Sequence, residues 1–128
     1  MYKVDLPLVV QVSKKKKFII NLNHYRNTHC LVLNKAKVEY SNIVKHKIFG
    51  IPLLKKVKID YYLYPKDKRM CDVSNVCCIQ DKFFCDVLST YNVIDDDNYN
   101  NVAEIHYYFG SVDPDNPRVT AIITPIED

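Results

Sequence analysis

Two eight-residue runs, VKIDYYLY at 57–64 and VAEIHYYF at 102–109, bracket a helical stretch at 76–88, and this order constrains the chain more than any other feature. β-Branched and aromatic residues dominate both runs, as strands on a half-buried pleated surface require. Pro65 closes the first run. In the stretch between them, about 100° per residue gathers Val76, Phe83, Phe84 and Val87 on one side, so the helix is amphipathic. Asp72 and Ser74 are its N-cap candidates.

The flanks extend the pattern. Residues 1–13, rich in Val and Leu, read as a strand, and 18–22 as a second short one. The polar, aromatic segment 23–29 suits a loop or broken turn. Residues 34–48 carry Val38, Ile43, Val44 and Ile48 at helical spacing and stop near Gly50 and Pro52. An Asp- and Asn-rich loop spans 92–101, a tight turn spans 113–117, and 118–124 reads as the last strand. The expected order is β(β)αβαββ: an α/β (α+β) fold with a mixed sheet and two main helices. A length of 128 residues fits one domain, 1–128, and 48% hydrophobic residues suffice for its core.

No run of 18 apolar residues exists, so no membrane span is expected. The N-terminus, MYKVDLPLVV, lacks the plan of a signal peptide, which predicts a cytoplasmic protein. Four of the five cysteines lie at 71, 77, 78 and 85 without a C-x₂-C pair. They read as small apolar residues of a buried helix, not as a zinc site or a disulfide framework. The two glycines form no phosphate-binding loop.

A net charge of +3 conceals a strong split: 1–70 carries +12 and 71–128 carries −9. Two solvated faces would explain this, and so would a basic platform for a polyanion beside carboxylates that hold a metal. The segment 66–102 bears on the choice. Asn75, Lys82 and Asp86 fall within about 40° of one another on the helix, an amide, a cation and a carboxylate in line. Asp81 points off that stripe. Asp72 precedes the helix, and Asp95, Asp96 and Asp97 follow it in a loop, where three adjacent acids repel unless a cation or donors hold them.

Asp72-x-x-Asn75, then Asp81-Lys82 with Asp86-Val-Leu88, then Val93-Ile94-Asp95-Asp96-Asp97-Asn98, resembles the signature of RusA-like Holliday junction resolvases. That family shows Asp-x-Asp-Asn, a helix with Lys and Asp-Ala-Leu, then a Gly-x-x-Asp-Asp loop. The likeness extends more weakly to 21–40 and to Asn116-Pro117-Arg118. Three departures stand out. Ser74 replaces the second aspartate, the interval from Asn75 to Lys82 is one helical turn longer, and Asn92 replaces the loop glycine, a substitution that a left-handed turn tolerates.

The resemblance implies a Mg²⁺-dependent endonuclease, with Mn²⁺ as a substitute, that nicks four-way (Holliday) junctions symmetrically as a homodimer, of the type found in bacteriophages and prophages. Asp72, Lys82, Asp86 and Asp97 would be catalytic, with Asp72, Asp86, Asp96 and Asp97 as the metal set and Asn75 in support. Lys14, Lys15, Lys16, Lys17, Arg26, Lys66, Lys68 and Arg69 would contact phosphates of branched DNA, and Asn23, His24 and Tyr25 the branch point. The Ser74 departure leaves open a catalytically weak or inactive branched-DNA-binding protein. An interaction protein whose acidic half mimics nucleic acid is a further alternative, against which the basic half speaks.

Overall fold

Along 57–64 the side chains alternate between two environments: Val57, Ile59, Tyr61 and Leu63 are buried, whereas Lys58, Tyr62 and Tyr64 are half-exposed and Asp60 alone on that second face is buried. That alternation places one face of the strand against a helix and leaves the other open. A computed structural model describes residues 1–69 and 71–126. Its elements are β1 (Tyr2–Leu6), β2 (Val9–Gln11), β3 (Lys17–Ile19), α1 (Leu22–Asn27), α2 (Cys30–Val44), β4 (Val57–Tyr64), α3 (Val73–Thr90), β5 (Val102–Phe109) and β6 (Arg118–Pro125). The main sheet has the order β1-β6-β4-β5. β4 pairs parallel with β5 and antiparallel with β6, so the sheet is mixed and the domain α+β. A parallel pair needs a long crossover, and α3 supplies it. β2 and β3 form a separate hairpin.

α3 lies between the sheet and the remaining helices. Phe83 and Phe84, 100° apart on the helix, serve opposite layers. Phe84 meets Tyr61 of β4 edge-on at 6.2 Å, while Phe83 meets Tyr40 of α2 at 5.3 Å and Phe18 of β3 at 6.1 Å. Gln80, fully buried, joins three parts of the chain. The Tyr40 hydroxyl donates to its Oε1 at 2.9 Å, and its Nε2 donates to the Pro7 carbonyl at 2.7 Å.

The structure differs from the sequence reading in the first third. Residues 1–13 are two strands, not one, because the chain turns at Pro7, which donates no ladder hydrogen bond. Part of the expected loop is α1, capped by the Asn21 side chain, which accepts from the His24 amide at 2.8 Å. α2 begins at Cys30 instead of 34, because the imidazole of His29 acts as its N-cap, accepting from the Leu31 amide at 3.2 Å. From α2 onward the order αβαββ, with strands at 57–64 and 102–109, agrees with the sequence reading.

Replacing Gln80 with Leu leaves the buried Tyr40 hydroxyl without its acceptor and the half-buried Pro7 carbonyl without its donor. The expected loss is about 2–4 kcal/mol, read as a lower urea midpoint at unchanged m-value.

Candidate functional site

α3 ends in a turn that aims the acidic loop. Tyr91 closes the helix and Asn92 takes φ 62°, the left-handed conformation that an Asn tolerates. The Val93 amide then donates to the Leu88 carbonyl at 2.8 Å and the Asn92 amide to the Ser89 carbonyl at 3.3 Å. This is a Schellman closure, with Leu88 and Val93 packed in the core beside it. Val93 and Ile94 anchor the loop, and the Leu54 amide donates to the Val93 carbonyl at 2.7 Å. Asp95, Asp96 and Asp97 emerge into solvent directly after this anchor.

Asp97 thereby returns to the last turns of α3. It lines a small cavity of about 100 Å³ with Lys82, Phe83 and Asp86 of α3, Lys37 of α2 and Tyr25 of α1. The Lys82 ammonium lies 6.0 Å from the centre of the Tyr25 ring. The space continues along the α2–α3 seam into a groove of about 320 Å³ that shares Lys37, Phe83 and Asp86. Partial desolvation, the hydrogen-bonded Asp96 carboxylate and the charges of Asp96 and Asp86 push the Asp97 carboxyl above its ordinary range. Asp96 itself accepts from the Asp97 amide at 2.8 Å and the Asn98 side-chain amide at 3.3 Å.

Lys82, Asp86, Asp97 and Tyr25 therefore converge, with Asp96 at the margin. Asp72 does not join them. It occupies the N-cap position at the opposite end of α3, fourteen residues from Asp86, or roughly 21 Å along the axis at 1.5 Å per residue. Among the described residues no three carboxylate, imidazole or thiol groups come together as a metal centre. The expected four-aspartate set is thus not assembled within one chain; the Asp86–Asp97 pair is what remains of it. Two carboxylates fit Mg²⁺, which commonly takes one or two from the protein and fills its shell with water and phosphate oxygens.

Asn75 also lies at the far end, where its Oδ1 accepts from the Leu22 amide at 2.8 Å. It holds the first turn of α1, which carries Tyr25, and so acts on the site only through that helix. His24 is occupied with structure: its Nδ1 accepts from the Ile19 amide at 3.3 Å and its ring meets Phe18 edge-on. Asn23 and Arg26 are exposed on α1. Lys14, Lys15 and Lys16 form the exposed β2–β3 turn and Lys17 opens β3; Lys66, Lys68 and Arg69 are exposed between β4 and α3.

Sequence reasoning missed Lys37. It is one of several lysines on α2, and only the packing of α2 on α3 turns it toward Asp86. The spacing of Lys37 and Ser41, one helical turn apart and both on the groove, was the available signal.

Asp81 points the other way, as the stripe implied, and is engaged in structure. It accepts from the Tyr61 hydroxyl at 2.7 Å and from the Cys85 thiol at 3.3 Å. Burial raises its pKa, while those two bonds and the charge of Lys82 oppose the rise. Cys77 and Cys85 are buried in α3, and burial pushes the Cys77 thiol up to about 12, which keeps it protonated at neutral pH.

Compared with models of known protein families and with curated proteins, the chain matches none.

Three outcomes are expected. Asp81 binds its proton more tightly folded than unfolded, so stability falls as pH rises from the unfolded carboxyl pKa through the raised folded one. Asp81→Asn should flatten that slope in melts taken from pH 3 to 7. Asp81→Ala should cost about 1–3 kcal/mol, because the Tyr61 hydroxyl loses its acceptor. The same sign holds for Asp97, which is exposed; Asp97→Asn should raise the melting temperature at pH 7 by about 1 °C.

Proposed function

We propose that the chain is a Mg²⁺-dependent endonuclease that acts on branched DNA, with its centre at Asp86 and Asp97. One observation carries this reading: two carboxylates, one of them with its pKa raised, share a cavity with two lysines and a phenol. Repelling acids gain most from a divalent cation, and the lysines suit a phosphate that accumulates charge as it reacts. The likeness of 66–102 to RusA-like resolvases, and the +12 balance of residues 1–70, support the same substrate.

When bound by Asp86 and Asp97, Mg²⁺ supplies a Lewis acid and a water of lowered pKa. The residues of the chain do the rest. Lys82, held near the Tyr25 ring, neutralises charge on the scissile phosphate. Lys37 approaches the same cavity from α2 and bears on the neighbouring strand phosphate. Asp96 turns its carboxylate to backbone and Asn98 donors, leaving Asp97 as the loop's ligand. Symmetric nicking of a two-fold junction calls for a homodimer with one centre per protomer.

A second reading is a branched-DNA-binding protein without cleavage. Ser74 in place of an aspartate and the separation of Asp72 from Asp86 favour it. Nicking of an end-labelled four-way junction in Mg²⁺ or Mn²⁺, beside linear duplex, separates the two. Paired nicks are expected for the wild type. A loss of about 100-fold or more is expected for Asp97→Asn and Asp86→Asn, and a smaller loss for Lys37→Gln. Tight binding with no nicks in either metal establishes the binding module instead. Dependence on Asp72 as well would require that residue to come from a second protomer, since α3 holds it away within one chain.

A further inference from the structure

The β2–β3 hairpin presents two faces. Val10 and Phe18 point inward and are buried, so their neighbours Val9, Gln11, Lys17 and Ile19 point outward. Val9 and Ile19 are directly paired, yet 41% and 43% exposed, an apolar pair turned away from the core. They line a largely apolar cavity of about 360 Å³ whose other walls include Ile20, Leu63, Val76 and Pro117. This cavity belongs to the N-terminal end of α3: Val76 precedes Asp86 by ten residues, roughly 15 Å of helix. The Asp86–Asp97 centre does not use it.

Cations flank the cavity on two sides. Lys66 and Arg69 stand at its edge, with Asp67 between them accepting from the Arg69 backbone amide at 3.0 Å. On the hairpin, Lys17 shares the outward face with Ile19, two residues or about 7 Å away, and leads to the turn of Lys14, Lys15 and Lys16. Among the described residues none of these six side chains forms an ion pair, so their charge is uncommitted. An apolar pocket between two uncommitted basic groups fits a ligand that is apolar in the middle and anionic on either side. One nucleotide within a strand has that form: a base with low-polarity faces, and a phosphate before and after it.

We propose that this cavity takes one unstacked base of a branched DNA, while Lys17 with the lysine turn and Lys66 with Arg69 hold the phosphates that flank it. The inference rests on the DNA-directed reading above and adds the feature recognised, an unpaired base at the branch. Selectivity then follows from energetics: a base at a branch costs less to unstack than one inside a duplex, so a duplex gains from the lysines alone.

The test uses the full chain and a four-way junction carrying 2-aminopurine, whose fluorescence is quenched by stacking, at the branch. Wild-type protein is expected to raise the emission several-fold on binding. Ile19→Glu, at an exposed position whose folding circular dichroism checks, should abolish the rise and weaken junction binding by about tenfold. Duplex affinity should change less than twofold. Lys66→Gln with Arg69→Gln should instead weaken both DNAs and lower the salt slope by about 2.

Unchanged emission on wild-type binding, or an Ile19→Glu variant that binds junctions like the wild type, would overturn the proposal. So would an Ile19→Glu variant that alters the sedimenting mass, because a second copy would then be the occupant. Unstacking without nicking in Mg²⁺ upholds this inference and removes the nuclease. Nicking without unstacking does the reverse, and no affinity for any DNA removes both.

Discussion

A single buried amide holds the layers in register. Gln80 accepts from Tyr40 of α2 and donates to the carbonyl of Pro7, where β1 gives way to the hairpin. Gln80 and Tyr40 are fully buried and Pro7 is half-buried, so the geometry is held by the cost of leaving these groups unpaired. The Pro7 bend, the packing of α2 and the seat of α3 are thereby settled together. Phe83 and Phe84 fill the space on either side, and adjacent residues of one helix thus face two different layers.

Fixing α3 also fixes the distance between its ends. The cavity holding Lys82, Asp86 and Asp97 lies along its last turns, and Asp72 with the apolar, cation-edged cavity lies at its first. A rigid helix cannot bring these ends together, so the chain carries two separate polar regions where the linear motif suggested one. The Schellman turn at Asn92 adds the remaining constraint, because it sends the acidic loop back onto the helix that precedes it.

The two raised carboxyls differ in meaning. Asp81 is half-buried and satisfied by Tyr61 and Cys85, so its shift reflects packing at the helix–sheet boundary. Asp97 is exposed; partial desolvation is the first cause of its shift, and Asp96 and Asp86 add to it. Repulsion at an exposed loop serves no packing purpose and is relieved by a cation.

The strands at 57–64 and 102–109, the helix between them and the mixed α+β order were legible because each has a strong local period and clear end residues. The stripe of Lys82 and Asp86, the diversion of Asp81 and the left-handed turn at Asn92 were legible for the same reason: they depend on angles within one helix or on one residue's backbone preference. α1 was not. Six residues are too few to hold a helix unaided, and this one depends on the Asn75 side-chain oxygen from fifty-three residues away. Lys37 and the exclusion of Asp72 were equally hidden, since both are distances between elements, set by the packing of α2 on α3 and by the length of α3 itself. Local chemistry thus determined which elements form and which faces they present. Only tertiary packing decided which of the charged residues meet.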